Sequence, residues 1–256
     1  MIDTHAHLYD SHFLNELDFH VSEIRASGVQ EVWMPNCDSE TWKDLIYVSN
    51  KYPEFALPMI GLHPTYVKAN YLVELENLRK VLTSQKVLAI GEIGLDYYWD
   101  TSFKAEQIAA FEMQCQWALE HNIWIDVHCR KAYADLIKIL KNSHFSNLRG
   151  IIHCFSGDAR EAEILVALGF KLGIGGVITY KNATLFEDIK DISLDHLVLE
   201  TDSPYLTPVP LRGKPNSPSN IHLIAQKLAD LYQVSLDELV TRTSNNANQL
   251  KSYSGY

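Results

Sequence analysis

Histidines and acids stand at the downstream ends of apolar runs in this sequence, a placement that suits metal chemistry. The first case is Ile2-Asp3-Thr4-His5-Ala6-His7, where a short apolar start runs into two histidines spaced i, i+2. On a strand, alternation points both imidazoles to one face, about 7 Å apart along it. One divalent ion can take both, because neutral imidazole is the commonest side-chain metal ligand. Alone the pair says little, since 11 histidines in 256 residues make a chance His-x-His ordinary. Later runs repeat the placement. Gly61-Leu62-His63 closes the third run, Gly91-Glu92-Ile93-Gly94 the fourth, His128 the fifth, His153 the sixth and Asp202 the eighth.

His5, His7, His128 and His153 with Glu92 and Asp202 exceed what one closed zinc site takes and suit two ions. Glu92 is the expected bridge, because a carboxylate has two oxygens and can place one on each ion. Mixed imidazole and carboxylate ligation suits zinc, manganese, nickel or iron, with magnesium at a more oxygen-rich position. The expectation is two divalent ions (Mg, Mn or Zn), their identity left open. Cys129 and Cys154 lie one residue past ligands, so alternation turns their thiols away. Asp202 is expected to act both as ligand and as acceptor of a proton from water, which makes Glu92 and Asp202 the catalytic carboxylates.

These residues need elements that bring them to one place. Apolar runs fall at 2–7, 29–35, 55–61, 87–92, 123–128, 150–153, 170–176 and 197–202. Between them, helical patterns cover 15–26, 39–51, 71–84, 103–121, 132–142 and 182–190, and Asp158 with Glu161 resembles a capping pair for a helix ending near Gly169. Strand–helix alternation implies parallel strands joined by crossovers. Eight such units predict an α/β fold, a (β/α)8 TIM barrel with extra C-terminal helices. An open doubly wound sheet lacks support, because no GxGxxG follows the first run. The stretch 203–219 reads as a loop after the eighth strand, so residues 1–256 are expected to form one domain. Barrel enzymes keep their sites at the C-terminal strand ends, which is where the histidines and acids stand.

Composition narrows the class. Apolar residues make up 46% and charged residues 21%, ordinary for a globular chain with a large core. No apolar run reaches membrane-spanning length, and Met1 leads into an acid and a histidine rather than a signal-like segment. The scattered cysteines Cys37, Cys115, Cys129 and Cys154 suggest reduced thiols in a cytoplasmic protein, expected to be monomeric. A formal charge of −10 argues against broad, non-specific grip on nucleic acid but not against a small phosphate pocket.

The sequence resembles the TatD-like metal-dependent hydrolases, deoxyribonucleases of the amidohydrolase-like superfamily. The matching stretches are Asp3-Thr4-His5-Ala6-His7, Gly61-Leu62-His63-Pro64, Gly91-Glu92-Ile93-Gly94-Leu95-Asp96-Tyr97, His128-Cys129-Arg130, His153-Cys154-Phe155-Ser156-Gly157 and Thr201-Asp202-Ser203-Pro204-Tyr205-Leu206, with Arg212-Gly213 and Asn216 beyond. The resemblance implies a hydrolase with His5, His7, Glu92, His128, His153 and Asp202 as metal ligands. It further implies that His63 and Arg130 contact the substrate phosphate, and that the substrate is DNA. With the acidic surface, this points to 3′-to-5′ trimming of single-stranded ends. The competing expectation is a binuclear amidohydrolase or esterase acting on a small amide, lactone or phosphoester. Such enzymes often bridge their metals with a modified lysine at the end of strand four, where this chain has Glu92. A third is a non-catalytic metal-binding protein. Tyr97 and Tyr205 could stack on a base, but packing within their loops is the expectation for both. Leu250-Lys251 departs from the Leu-Phe common near the family's C-terminus.

Overall fold

The strands are nearly continuous apolar runs because both of their faces are covered. The structure, a computed structural model, describes residues 1–256. Its strands are β1 (Ile2–Asp3), β2 (Glu31–Met34), β3 (Ala56–Ile60), β4 (Ala89–Asp96), β5 (Trp124–Arg130), β6 (Gly150–Ile152), β7 (Phe170–Ile174) and β8 (Leu197–Leu199). They form one sheet in chain order, and every neighbouring pair is parallel. The seam between β8 and β1 is drawn together by Thr4 N–H donating to the Leu199 carbonyl at 3.0 Å and Asp202 N–H to the His5 carbonyl at 2.9 Å. Buried Asp3 adds to the seam, accepting from the Thr201 hydroxyl at 2.6 Å and the Thr201 N–H at 2.9 Å. The result is the expected eight-stranded parallel barrel.

Helices α1 (Ser11–Leu14), α2 (Leu17–Ala26), α3 (Trp42–Lys51), α4 (Tyr71–Leu82), α5 (Lys104–His121), α6 (Tyr133–Leu140), α7 (Ala159–Ala167) and α8 (Leu185–Ile189) cross between strands. The longer ones bury a stripe at helical spacing, as α3 does with Trp42, Leu45 and Val48. The expected capping pair at the start of α7 is a full capping box of Asp158 and Glu161. Two further helices, α9 (Ile221–Tyr232) and α10 (Leu236–Tyr253), complete the chain. No helix is long and apolar enough to cross a membrane.

Boundaries differ from the sequence reading at several elements, β8 among them, which ends at Leu199 rather than 202. β1 stops at Asp3, and the backbone of residues 4–7 bonds by turns to β2 and to the segment after β8. β4 continues past Glu92 to Asp96, where a register shift between Ile90 and Ile93 absorbs one extra residue before pairing with β5 resumes. The helix expected over 15–26 is α2, which starts at Leu17, and the short α1 precedes it.

The N-terminal barrel end is closed by an apolar cluster that includes Ile2, Trp33, Leu57, Trp124, Ile151 and Val198, and α10 adds Ala247 and Leu250. At the Leu250-Lys251 departure, Leu250 stays buried while Lys251 pairs with Glu31 at 2.6 Å.

Candidate metal centre

Strand alternation carries one face from core to chemistry. On β5, Trp124, Asp126 and His128 share a face, and Val198, Glu200 and Asp202 repeat the progression on β8 and the residues after it. The acids in the middle of these series need room. A Cβ at Gly91 would lie 2.5 Å from Asp126 Cβ, and one at Gly173 would lie 2.2 Å from Glu200 Oε2. At Gly91 only glycine fits, and at Gly173 a Cβ would displace the Glu200 carboxylate.

At the C-terminal rim, imidazoles gather about Glu92, itself 3% exposed. Glu92 Oε2 faces His5 Nε2 at 3.3 Å, and Oε1 faces His63 Nε2 at 3.2 Å, His128 Nδ1 at 2.9 Å and His153 Nε2 at 3.0 Å. Asp202 Oδ1 lies 3.4 Å from His7 Nε2 and 3.7 Å from His5 Nε2. Three groups thereby have ligand atoms within 4.8 Å of one another: His5, Glu92 and His153; His5, His7 and Asp202; and His63, Glu92 and His128. No cysteine belongs to any of them.

The outward nitrogens face polar partners, and where a hydrogen bond forms the partner sets the tautomer. His5 Nδ1 meets the Asp126 carboxylate at 2.8 Å, and His128 Nε2 meets Asp96 at 2.9 Å. His153 Nδ1 lies 3.4 Å from Glu200. His7 Nδ1 meets the Tyr9 hydroxyl at 2.8 Å, and that hydroxyl spends its proton on the Pro35 carbonyl at 2.6 Å. Asp126, Asp96 and the Tyr9 hydroxyl accept, so neutral His5, His128 and His7 carry their proton outward and turn a lone pair inward, whereas His153 Nδ1 has the Glu200 carboxylate nearby without a hydrogen bond. His63 is the reverse. Its Nδ1 accepts from the Thr65 N–H at 3.2 Å, with the Thr65 hydroxyl at 2.7 Å, so neutral His63 presents Nε2–H inward as a donor.

A family model described as TatD related DNase matches residues 2–252. The chain belongs to this family. It is 35% identical over 251 residues to the uncharacterized metal-dependent hydrolase YabD of Bacillus subtilis, covering 98% of each chain. It is 30% identical over 256 residues to the 3′-5′ ssDNA/RNA exonuclease TatD of Erwinia amylovora, covering 98% of this chain and 99% of that one. Among solved structures, the TatD homologue YjjV of Escherichia coli superposes with a TM-score of 0.92 at 29% identity, over 98% of this chain and 97% of that one. The protein is a metal-dependent hydrolase with a TatD-type barrel.

The electrostatics of this TatD-family rim fit a cation. Burial opposes ionisation of Glu92, but the charges of His63, His153 and His5 and the hydrogen bond with His128 outweigh it and hold the carboxyl well below its usual range. Burial likewise opposes ionisation of Asp202, and His7, His153 and His5 again win. On His5, burial and neighbouring His153 resist a proton, yet Asp126 and Glu92 raise its pKa to about 9. His63 moves the other way, lowered by burial first and then by His128 and His153. The donor set itself tests the fit. His5 Nε2 is buried without a hydrogen-bond partner while two carboxylates face it, an arrangement a divalent ion would satisfy.

Asp202 sits at φ +54, a left-handed conformation that aspartate tolerates. The loop behind it is tied by buried Asn216, whose amide donates to the Thr201 and Tyr205 carbonyls at 2.9 and 2.8 Å. Arg130 ends β5 exposed to solvent, its guanidinium 3.7 Å above the Tyr98 ring. Tyr97 packs as expected, its hydroxyl on Asp135 and Lys104 over its ring. Tyr205 is 55% exposed with its ring edge-on to His7. The sequence reading assigns no role to Asp96, Asp126 or Glu200, though alternation back from His128 and Asp202 marks the last two.

Proposed function

We propose that the chain is a two-metal phosphodiesterase that trims single-stranded DNA ends in the 3′-to-5′ direction. The observation that carries this reading is the division of Glu92, whose Oε2 faces His5 while Oε1 faces three other imidazoles. That division is what a carboxylate shared between two ions requires. His5, His7, Glu92, His128, His153 and Asp202 would hold the ions, and the inward lone pairs of His5, His7 and His128 support this set. Such ions, when bound, polarise a phosphoryl oxygen and make water a stronger acid. Magnesium, manganese and zinc all suit the mixed donors.

Asp202 is held ionised by His7, His5 and His153, so it can take a proton from the attacking water. His63, neutral and with Nε2–H turned inward, donates to a phosphoryl oxygen as charge develops there. Arg130 offers its planar fork to a neighbouring phosphate. The exonuclease name of the Erwinia amylovora relative supports the choice of substrate. A protein of charge −10 is poorly suited to holding a long duplex, which favours ends over interior sites and accords with a monomer in the cytoplasm.

The test compares a linear single-stranded oligonucleotide with its circular form under manganese or magnesium, alongside small amide and lactone substrates. Stepwise loss of nucleotides from the 3′ end of the linear strand, with the circle intact, is the expected result. Equal cutting of both strands would overturn end trimming. Turnover confined to amides or lactones would overturn the nuclease reading.

A further inference from the structure

Four aromatic side chains are exposed on loops at the C-terminal barrel end, Tyr66, Tyr98, Trp99 and Tyr205, and Trp99 leads with 68% exposure. The other tryptophans, Trp33, Trp42, Trp117 and Trp124, are all buried. An indole left largely in water gains little stability from burial. The loop that carries it is nevertheless fixed. The N–H groups of Tyr98 and Trp99 donate to Asp96 Oδ1 at 2.8 and 3.0 Å, and Asp96 Oδ2 meets His128 Nε2 at 2.9 Å. One buried carboxylate therefore registers the aromatic pair on the metal centre.

The pair also carries charge. The Arg130 guanidinium stacks 3.7 Å over Tyr98 and lies 5.4 Å from the Trp99 ring centre, and Lys131 Nζ lies 5.7 Å from the Tyr98 ring centre. Lys68, Lys104 and Arg242 each pair with an acid. Arg130 instead rests on rings, which leaves its N–H edge free for an anion. The Trp99 and Tyr98 rings meet at 84° with centroids 5.1 Å apart, an edge contact rather than a stack, and the indole stays 68% exposed.

We infer that Trp99, Tyr98 and Arg130 form a nucleotide subsite beside the metal centre, where Trp99 stacks on a base of a single strand and Arg130 takes its phosphate. The occupant combines a π-face with an adjacent anion. In a duplex the bases are already stacked on one another, so an unpaired strand is the form this subsite accepts. The inference rests on the nucleic-acid reading above and adds a strand-holding surface to it.

The test is binding of a phosphorothioate-linked hexathymidylate to the metal-loaded protein, followed by tryptophan fluorescence and by polarisation of a labelled strand. Quenching should appear in the parent and vanish in Trp99→Phe, which keeps a stacking face and should retain most of the affinity. Trp99→Ala should weaken binding about tenfold, in line with loss of one base–aromatic stack. A backbone of the same length without bases should bind the parent about as weakly as the hexamer binds Trp99→Ala. If the bases make no difference, or Trp99→Ala binds the hexamer within twofold of the parent, the subsite is wrong. Hydrolysis of an aryl phosphodiester by the parent is scored separately. Trp99-dependent binding without any phosphodiester hydrolysis would keep the subsite and remove the nuclease reading, whereas hydrolysis with no Trp99 dependence would do the opposite. Failure of the parent to bind the hexamer overturns the subsite.

Discussion

The two ends of the barrel share eight strands and are built on opposite chemistry. At the N-terminal end Trp33 and Trp124 meet with centroids 5.3 Å apart, packed with Leu57, Ile151, Val198 and Leu250. At the C-terminal end five imidazoles crowd around Glu92 and Asp202, backed by Asp96, Asp126 and Glu200. β5 carries both, from buried Trp124 to His128 at the rim. Burying carboxylates is costly unless they are paired or coordinate metal, whereas burying indoles stabilises directly. The difference teaches that stability and chemistry are separated along the strand axis, so the two can be damaged independently.

The largest expected effect is at the apolar end. Trp124→Ala should cost about 3–5 kcal/mol of stability, read as a lower urea midpoint, while the folded fraction keeps its metal. Loss of metal without loss of stability would break the separation. At the opposite end, Glu92→Gln should retain the fold by circular dichroism and lower the rate by roughly 10²–10³-fold. Near-full activity with full metal content would remove Glu92 from its bridging role. Asp126→Asn should be milder, since it weakens only the partner that orients His5. A roughly 10–100-fold drop in metal affinity is expected, measured by chelator competition, and unchanged affinity would show that His5 needs no such support.

A pH series gives the smallest change per step. Ligand imidazoles must be deprotonated to bind metal. In the metal-free protein His5 titrates near 9, and His128 and His153 are raised as well: burial lowers both, but Asp96 and Glu92 outweigh it for His128, and Glu92 and Glu200 for His153. With its pKa raised to about 9, His5 holds its proton at neutral pH and ion binding must displace it, and the upward shifts of His128 and His153 act in the same direction. Metal affinity should therefore climb as pH rises towards 9 and fall on acidification, by up to about tenfold per unit for each proton displaced. Affinity that stays flat between pH 6 and 9 would contradict histidine ligation.

Much of this was legible in the residues alone. Eight apolar runs with helical intervals gave the barrel and its strand order, and the histidines and acids closing those runs gave the rim. The end of β4 was hidden, because the irregularity between Ile90 and Ile93 interrupts the period that marks a strand, and Asp96 went with it. Asp126 and Glu200 were readable in principle, two residues upstream of His128 and Asp202 on the same face. The reversed tautomer of His63 was not, since it depends on where the Thr65 N–H points. Nor was the exposure of Trp99, because an aromatic run such as Tyr97-Tyr98-Trp99 does not say which ring packs.

Counting the ions bound at the C-terminal rim tests the two-metal centre most directly. Protein stripped with a chelator and back-titrated with manganese or zinc should take up two ions per chain. The double variant Glu92→Gln with Asp202→Asn should lose at least one of them while its fold persists. A single ion in the parent, or two ions retained by the double variant, would contradict a binuclear centre bridged by Glu92.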